Sequence, residues 1–203
     1  HPLDNDVRSA FEFGPARVST GARPMVTMDG NQAIVMGLIA GGVRFGAAYP
    51  ITPASSIMED LRAALPKYGG MYVQCEDEIA AIATALGFSY SGHVAVTNTS
   101  GPGMSLKMEA LGWGIMAEMP LIIVNVQRGG PSTGLPTMVE QSDLIQAIGG
   151  THGDAPRIVL APYSVGDCFY AAYEAAQLAR EYSVPVIVLS DQALSTRIEA
   201  LQE

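Results

Sequence analysis

The sequence predicts an α/β fold: a doubly wound, mostly parallel sheet with helices on both faces. Three observations carry this. Short apolar runs of strand character alternate with helical patterns along most of the chain, which is the signature of βαβ units. One of those runs, PLIIVNV at 120–126, is apolar almost throughout, as a strand covered on both faces must be. Segments rich in Gly, Pro, Ser and Thr follow several strand candidates, where such a sheet places its ligand-binding loops.

Taken in order, residues 1–24 are polar, carry Gly14, Pro15, Gly21 and Pro24 and show no period, so an N-terminal arm or linker is expected, reaching to about residue 29. A short extended piece is expected over 24–28. Asp29–Gly30–Asn31 then offers a turn and helix cap before QAIVMGLIA, and Gly41–Gly42 ends that helix. A strand is expected over 43–49, followed by a loop, because Pro50 and Pro53 block a ladder. The helix IMEDLRAAL has Ile57, Leu61 and Leu65 on one face, and Pro66 is expected to stop it. A strand at 71–75 leads into Glu76, Asp77 and Glu78. The helix that follows, 78–91, is apolar on nearly every face and is expected to be fully buried. A strand at 93–98, a tight turn at 99–103 and a helix at 104–119 come next. Beyond the apolar strand 120–126 lie a Gly/Pro-rich loop at 127–136, a short helix at 139–148, a strand at 157–161, a long helix at 164–182 and a last core strand at 185–189. Residues 30–203 are thus expected to form one domain, with no internal repeat.

The 203 residues suffice for one domain with a substantial core. The formal net charge of −9 argues against nucleic acid or an anionic membrane as partner. Cys75 and Cys168, without a CxxC, exclude a cluster ligated by cysteines of this chain and argue against a disulfide framework. His1, His93 and His152 give no metal signature. No apolar run is long enough for a membrane span, and no leader pattern is read, so a cytoplasmic location is expected. The start at HPLD rather than Met raises the expectation of a fragment of a longer chain.

Four segments fall at the carboxyl ends of strands: 49–56, 76–78, 97–103 and 127–134. Glu78 has two readings. It is an acid in a first helical turn, favoured there by the helix dipole, or a buried carboxylate with a raised pKa held for acid–base work. Arg128, directly after the apolar strand, is a solvated loop residue or an anion clamp whose guanidinium meets a carboxylate in bidentate fashion. Its place at the strand end favours the clamp. The TSGPG turn at 99–103 lacks a third glycine at position 106 and is a weak dinucleotide signal, but it exposes backbone N–H groups at a helix start. Gly130–Pro131–Ser132–Thr133–Gly134 matches the nucleophile elbow, with Asp143 and His152 following in hydrolase order. A helix must begin at once after such a serine, and Gly134 and Pro136 interrupt there. The two cysteines, Trp113 and the tyrosines read as core or interface.

Together the motifs resemble a known family. YPITP at 49–53, EDEIAA at 76–81, TSGPG at 99–103, QRGGPSTGL at 127–135 and EQSDL at 140–144 are similar to the α subunit of 2-oxoacid:ferredoxin oxidoreductases, in its thiamine-diphosphate pyrimidine-binding domain and its 2-oxoglutarate branch. The likeness runs from about Gly30 to Ala193. It implies oxidative decarboxylation of a 2-oxoacid to the acyl-coenzyme A, with electrons passed to ferredoxin. It also implies roles. Glu78, with Glu76 as fallback, is implied to hydrogen-bond the aminopyrimidine ring and favour the tautomer that takes the thiazolium proton. Thr52 and Arg128 are implied on the substrate side, and Ser100 and Gly101 near the cofactor. Diphosphate and Mg²⁺ are implied on a partner β subunit through a GDG…N segment, which Gly153–Asp154–Ala155 and Gly166–Asp167–Cys168 do not supply. The [4Fe-4S] cluster is implied there too, so the enzyme is expected to be a hetero-oligomer, inactive without the β chain, whose interface includes helices such as 79–88 and 104–119. Two departures stand out. Ala54 replaces a frequent serine. Met138 replaces a frequent basic residue, which weakens the case for 2-oxoglutarate and opens it to a less acidic oxoacid. Two other readings remain: a non-catalytic oxoacid- or anion-binding domain, and a serine hydrolase.

Overall fold

The computed structural model describes residues 25–202; the expected arm over 1–24 lies outside them. The elements are β1 Met25–Asp29, α1 Gly30–Ala40, β2 Phe45–Ala48, α2 Ser55–Ala64, β3 Met71–Gln74, α3 Glu78–Tyr90, β4 Ala95–Thr99, α4 Gly101–Met116, β5 Leu121–Gln127, α5 Leu144–Gly149, β6 Ile158–Leu160, α6 Val165–Tyr182, β7 Val186–Asp191, α7 Gln192–Thr196 and β8 Ile198–Gln202. Six strands form a parallel sheet in the order β3-β2-β4-β5-β7-β6. β1 and β8 form a separate antiparallel ribbon, with Met25 opposite Gln202. Met25–Asp29, the last part of the stretch expected as an arm, is therefore paired strand, and β8 had no counterpart in the sequence reading.

The alternation of side chains along β5 and β7 builds two cores. Ile122, Val124, Val126, Val186 and Val188 face α1, α2 and α6. Leu121, Ile123, Ile187 and Leu189 face α3, α4 and α5. This period of two, apolar on both faces, is what the near-continuous apolar runs encode. On the first face, α1 and α6 meet through small residues. A Cβ on Gly37 would lie 2.2 Å from the Phe169 carbonyl oxygen, and one on Gly41 would lie 2.6 Å from Ala176 Cβ.

Several boundaries differ from expectation for local reasons. Pro66 does end α2, which stops at Ala64 with Leu65 as its cap, but the chain then makes a 3₁₀ turn, Leu65–Tyr68, with the proline where its missing N–H costs nothing. α4 starts at Gly101, so the expected tight turn is its first turn, with Pro102 placed where helices accept proline. α5 begins only at Leu144. α3 is not buried all round: Ile79, Ala83, Gly87 and Tyr90 form an exposed stripe, while Ala81, Ile82, Ala85 and Leu86 pack inward. Among the described residues no helix is long and apolar enough to cross a membrane.

Candidate functional site

The chain moves outward from β2 to β3, then returns to place β4 on the other side of β2. The carboxyl ends of β2 and β4 thus flank the switch point, where sheets of this kind hold ligands. The two strands pair only at Phe45–Ala95 and Gly46–Val96 and then part. Buried polar side chains fill the opening. The Tyr72 hydroxyl donates to Asn98 Oδ1, and Asn98 Nδ2 donates to the Ala54 carbonyl at 2.8 Å. Burial pushes the Tyr72 phenol well above its usual range, with the Asn98 bond acting against that.

That bond is one of three that fix the YPITP loop. Arg128 Nη1 donates to the Thr52 carbonyl at 2.6 Å, Asn31 Nδ2 to the Pro53 carbonyl at 2.9 Å, and Asn98 to Ala54. Three consecutive carbonyls are held by side chains from α1, the end of β4 and the residue after β5, which leaves Thr52 exposed at the rim. Ala54 is fully buried in the first core, so a hydroxyl there would have to displace packing. Asn98 carries no sequence signal of its own, and Asn31 reads only as part of a helix cap.

The three acids after β3 are sorted by position. Glu76 and Asp77 are exposed, and Asp77 caps α3 by accepting from Ala80 N at 2.7 Å. Glu78, the first residue of α3, is half-buried and extends over Gly103. A Cβ on Gly103 would lie 2.8 Å from Glu78 Cγ, 3.1 Å from its Oε1 and 2.1 Å from Thr99 Oγ1. Glu78 therefore meets the TSGPG turn from the neighbouring segment. In that turn Ser100 is fully buried at the N-cap position of α4, and its hydroxyl has no hydrogen-bond partner. Beneath them lies Lys107, which the sequence reading passed over as one more residue of a helical run. Its Nζ donates to the Glu78 carbonyl at 3.0 Å and to Thr97 Oγ1 at 3.1 Å.

Arg128 borders a cleft of about 760 Å³ whose lining includes Gly101, Thr133, Glu140 and Asp143. It is only 7% exposed, its Nη2 donates to the Thr133 carbonyl at 2.7 Å, and its Nε has no partner. Burial pulls the guanidinium's pKa below its ordinary value. The guanidinium thus ties the YPITP loop to the loop after β5, which is closed by a Gly129–Leu135 bridge and by Gly130 N donating to Glu140. Asp143 accepts from Asn125 Nδ2 at 3.1 Å, and its Oδ2 lies where a side chain on Gly101 would go. Burial raises the Asp143 pKa, Asn125 opposes, and Glu140 adds to the rise. The Asp143 carboxylate thus borders the start of α4, beside the backbone N–H groups of the TSGPG turn. Met138 is exposed and does not line the cleft.

The elbow reading fails on geometry. Ser132 sits at φ 58° in the closed loop, with no helix following it. Asp143 bonds Asn125, and His152 lines a different pocket with Trp113, Met116 and Asp154. Among the described residues no group of three or more His, Cys, Asp or Glu side chains is placed to hold a metal.

A family model described as pyruvate flavodoxin/ferredoxin oxidoreductase, thiamine diP-bdg, matches residues 36–202. The chain is 49% identical over 177 residues to the 2-oxoglutarate synthase subunit KorA of Archaeoglobus fulgidus, covering 87% of this chain and 51% of that protein. It is 46% identical over 196 residues to the 2-oxoglutarate oxidoreductase subunit KorA of Mycobacterium tuberculosis, covering 94% and 30%. A solved structure of the 2-oxoglutarate:ferredoxin oxidoreductase from Magnetococcus marinus, with 2-oxoglutarate, coenzyme A and succinyl-CoA bound, superposes with a TM-score of 0.89 at 46% identity, over 100% of this chain and 36% of that one. The chain therefore spans about half or less of the length of these relatives. On the match over most of its length, the chain belongs to the pyruvate flavodoxin/ferredoxin oxidoreductase thiamine diphosphate-binding family.

Proposed function

We propose that this chain is the pyrimidine-binding part of the α subunit of a 2-oxoacid:ferredoxin oxidoreductase, acting on 2-oxoglutarate. The observation that carries the reading is Glu78, a half-buried carboxyl extended over Gly103 at the switch point of the sheet, next to the unpartnered buried hydroxyl of Ser100. These residues fit an aminopyrimidine: a carboxyl to meet a ring nitrogen, a glycine that leaves room for the chain of that carboxyl, and a free hydroxyl within the same turn. Thiamine diphosphate, when bound, supplies the carbanion chemistry that releases carbon dioxide from the oxoacid. This chain's part is to present the Glu78 carboxyl to the ring, to hold Thr52 at the rim through three backbone anchors, and to place Arg128 beside the cleft. Arg128 serves the oxoacid carboxylate through its remaining N–H groups, since two of them already hold backbone carbonyls.

The diphosphate and Mg²⁺ belong on a partner β subunit, because neither Gly153–Asp154–Ala155 nor Gly166–Asp167–Cys168 supplies a GDG…N segment and no group of three or more His, Cys, Asp or Glu side chains among the described residues is placed to hold a metal. The [4Fe-4S] cluster belongs there too, with coenzyme A taking the acyl group and ferredoxin the two electrons. The exposed stripe of α3 and the neighbouring Leu106, Trp113 and Met116 of α4 give that partner an apolar face. The names of the relatives support 2-oxoglutarate as substrate. A cytoplasmic location agrees with this role.

The test is reduction of a low-potential viologen dye by the chain assembled with its β partner, given thiamine diphosphate, coenzyme A and a panel of 2-oxoacids. Turnover is expected with 2-oxoglutarate and is expected to vanish in Glu78→Gln while the complex stays assembled. If Glu78→Gln turns over like the wild type, Glu78 is not the working carboxyl. No turnover with any oxoacid in a cluster-loaded complex favours a non-catalytic anion-binding domain.

A further inference from the structure

Lys107 is the one fully buried cation among the described residues, at 0% exposure. The only ion pair between described side chains is Arg197–Glu199, so no carboxylate neutralises Lys107 at close range. Its two acceptors are neutral oxygens, the Glu78 carbonyl and Thr97 Oγ1. A buried ammonium held only by neutral groups is costly, and a well-packed apolar side chain of the same length would serve packing better. Its place in the fold suggests another role. Lys107 lies one helical turn after Gly103, on the same face of α4. Gly103 leaves the space that the Glu78 side chain fills, and Lys107 holds the Glu78 backbone. Two residues of α4 thus fix both ends of the glutamate.

We propose that Lys107 is a positioning residue for Glu78: its ammonium pins the first turn of α3 to α4 and β4, so that the Glu78 carboxyl is held over Gly103 in the orientation the bound ring requires. This rests on the reading of Glu78 as the carboxyl of a thiamine diphosphate site. Lys107 touches neither substrate nor cofactor. It acts through the backbone of α3.

The decisive experiment compares wild type, Lys107→Met and Glu78→Gln, each assembled with the β partner. Three readouts are taken: kcat and KM for 2-oxoglutarate, the rate of C2 proton exchange of bound thiamine diphosphate by NMR after acid quench, and amide deuterium uptake over residues 76–84 without cofactor. In Lys107→Met, kcat and C2 exchange are expected to fall together by roughly tenfold or more, since a small misplacement of a catalytic group is enough for that. KM is expected to stay within about twofold, as for a residue that touches no substrate. Amide uptake is expected to rise at the start of α3 and not in β5 or β7. A merely space-filling lysine would leave kcat and C2 exchange unchanged, and that result overturns the proposal. Lys107→Gln is the second variant; if neither it nor Lys107→Met assembles, Lys107 is a folding residue and the proposal fails. Glu78→Gln separates the two claims. If it keeps C2 exchange, the thiamine reading fails; if it loses exchange while Lys107→Met does not, only the role of Lys107 fails.

Discussion

Gly103 is the residue at the site least open to substitution. A methyl group there would lie 2.1 Å from Thr99 Oγ1 and 2.8 Å from Glu78 Cγ, so both side chains would have to shift to admit it. Gly103→Ala is expected to cost about 1–3 kcal/mol of stability, as overpacking does. In the assembled complex it should lower dye-reduction turnover by more than roughly tenfold through displacement of Glu78. Denaturant titration and the viologen assay check the two parts. Gly87, on the exposed side of α3, has nothing within 4 Å of such a methyl and serves as the control. Glu78 and Arg128 stand out in the sequence as candidates because they sit at strand ends, while Thr52, Ser100 and Gly101 are picked out only by the family resemblance of their motifs. The hydrogen bonds from Asn31, Asn98 and Arg128 were not legible there, because their acceptors are backbone carbonyls and no residue type marks a carbonyl. Lys107 was hidden for a related reason: a lysine in a helical run normally reaches water, and only the packing of α3 against α4 shows that this one does not.

At the scale of elements, α3 and α4 carry the clearest unfinished surface. Met116 is 81% exposed and Tyr90 76%, with Ile79, Leu106 and Trp113 also open. Trp113→Asp combined with Met116→Asp is expected to leave the chain folded, because neither side chain contributes to the core clusters. The same pair should abolish co-purification with the β partner, because two desolvated carboxylates would oppose an apolar interface. Size-exclusion chromatography of co-expressed chains checks this; an intact complex would move the interface elsewhere. The strands and helices of the sheet were largely readable from periodicity. The errors fell where periodicity is blind. Apolar residues on every side of 79–88 read as burial within one chain, whereas the structure leaves one side bare. The segment 99–103 read as a turn, whereas Pro102 occupies a first-turn position of α4 that accepts proline. β8 escaped notice because its partner, β1, comes from the opposite end of the described chain.

For the whole molecule, the buried lysine has a pH signature. Burial pulls Lys107 from 10.5 down to about 8, while Glu78, Cys75 and Asp77 pull the other way. Between those values the unfolded chain keeps a proton that the folded chain has released, so stability contributed by this group rises with pH across the window and is lowest below about 8. The span corresponds to roughly 3 kcal/mol. Lys107→Met is therefore expected to melt above the wild type at pH 7, and the gap should close as pH approaches 10.5; calorimetry across that range checks it, and a gap that does not change with pH would mean that Lys107 is hydrated. The sheet itself sets how copies of the molecule can meet. Its two margins are β3, four residues long and followed at once by an acidic run, and β6, only three residues. Margins so short and so flanked offer too few free amides and carbonyls to template a foreign strand. Edge-to-edge growth of this sheet into cross-β aggregates is blunted at both ends, so contacts on the bare faces of α3 and α4 can be made and released without unzipping the sheet.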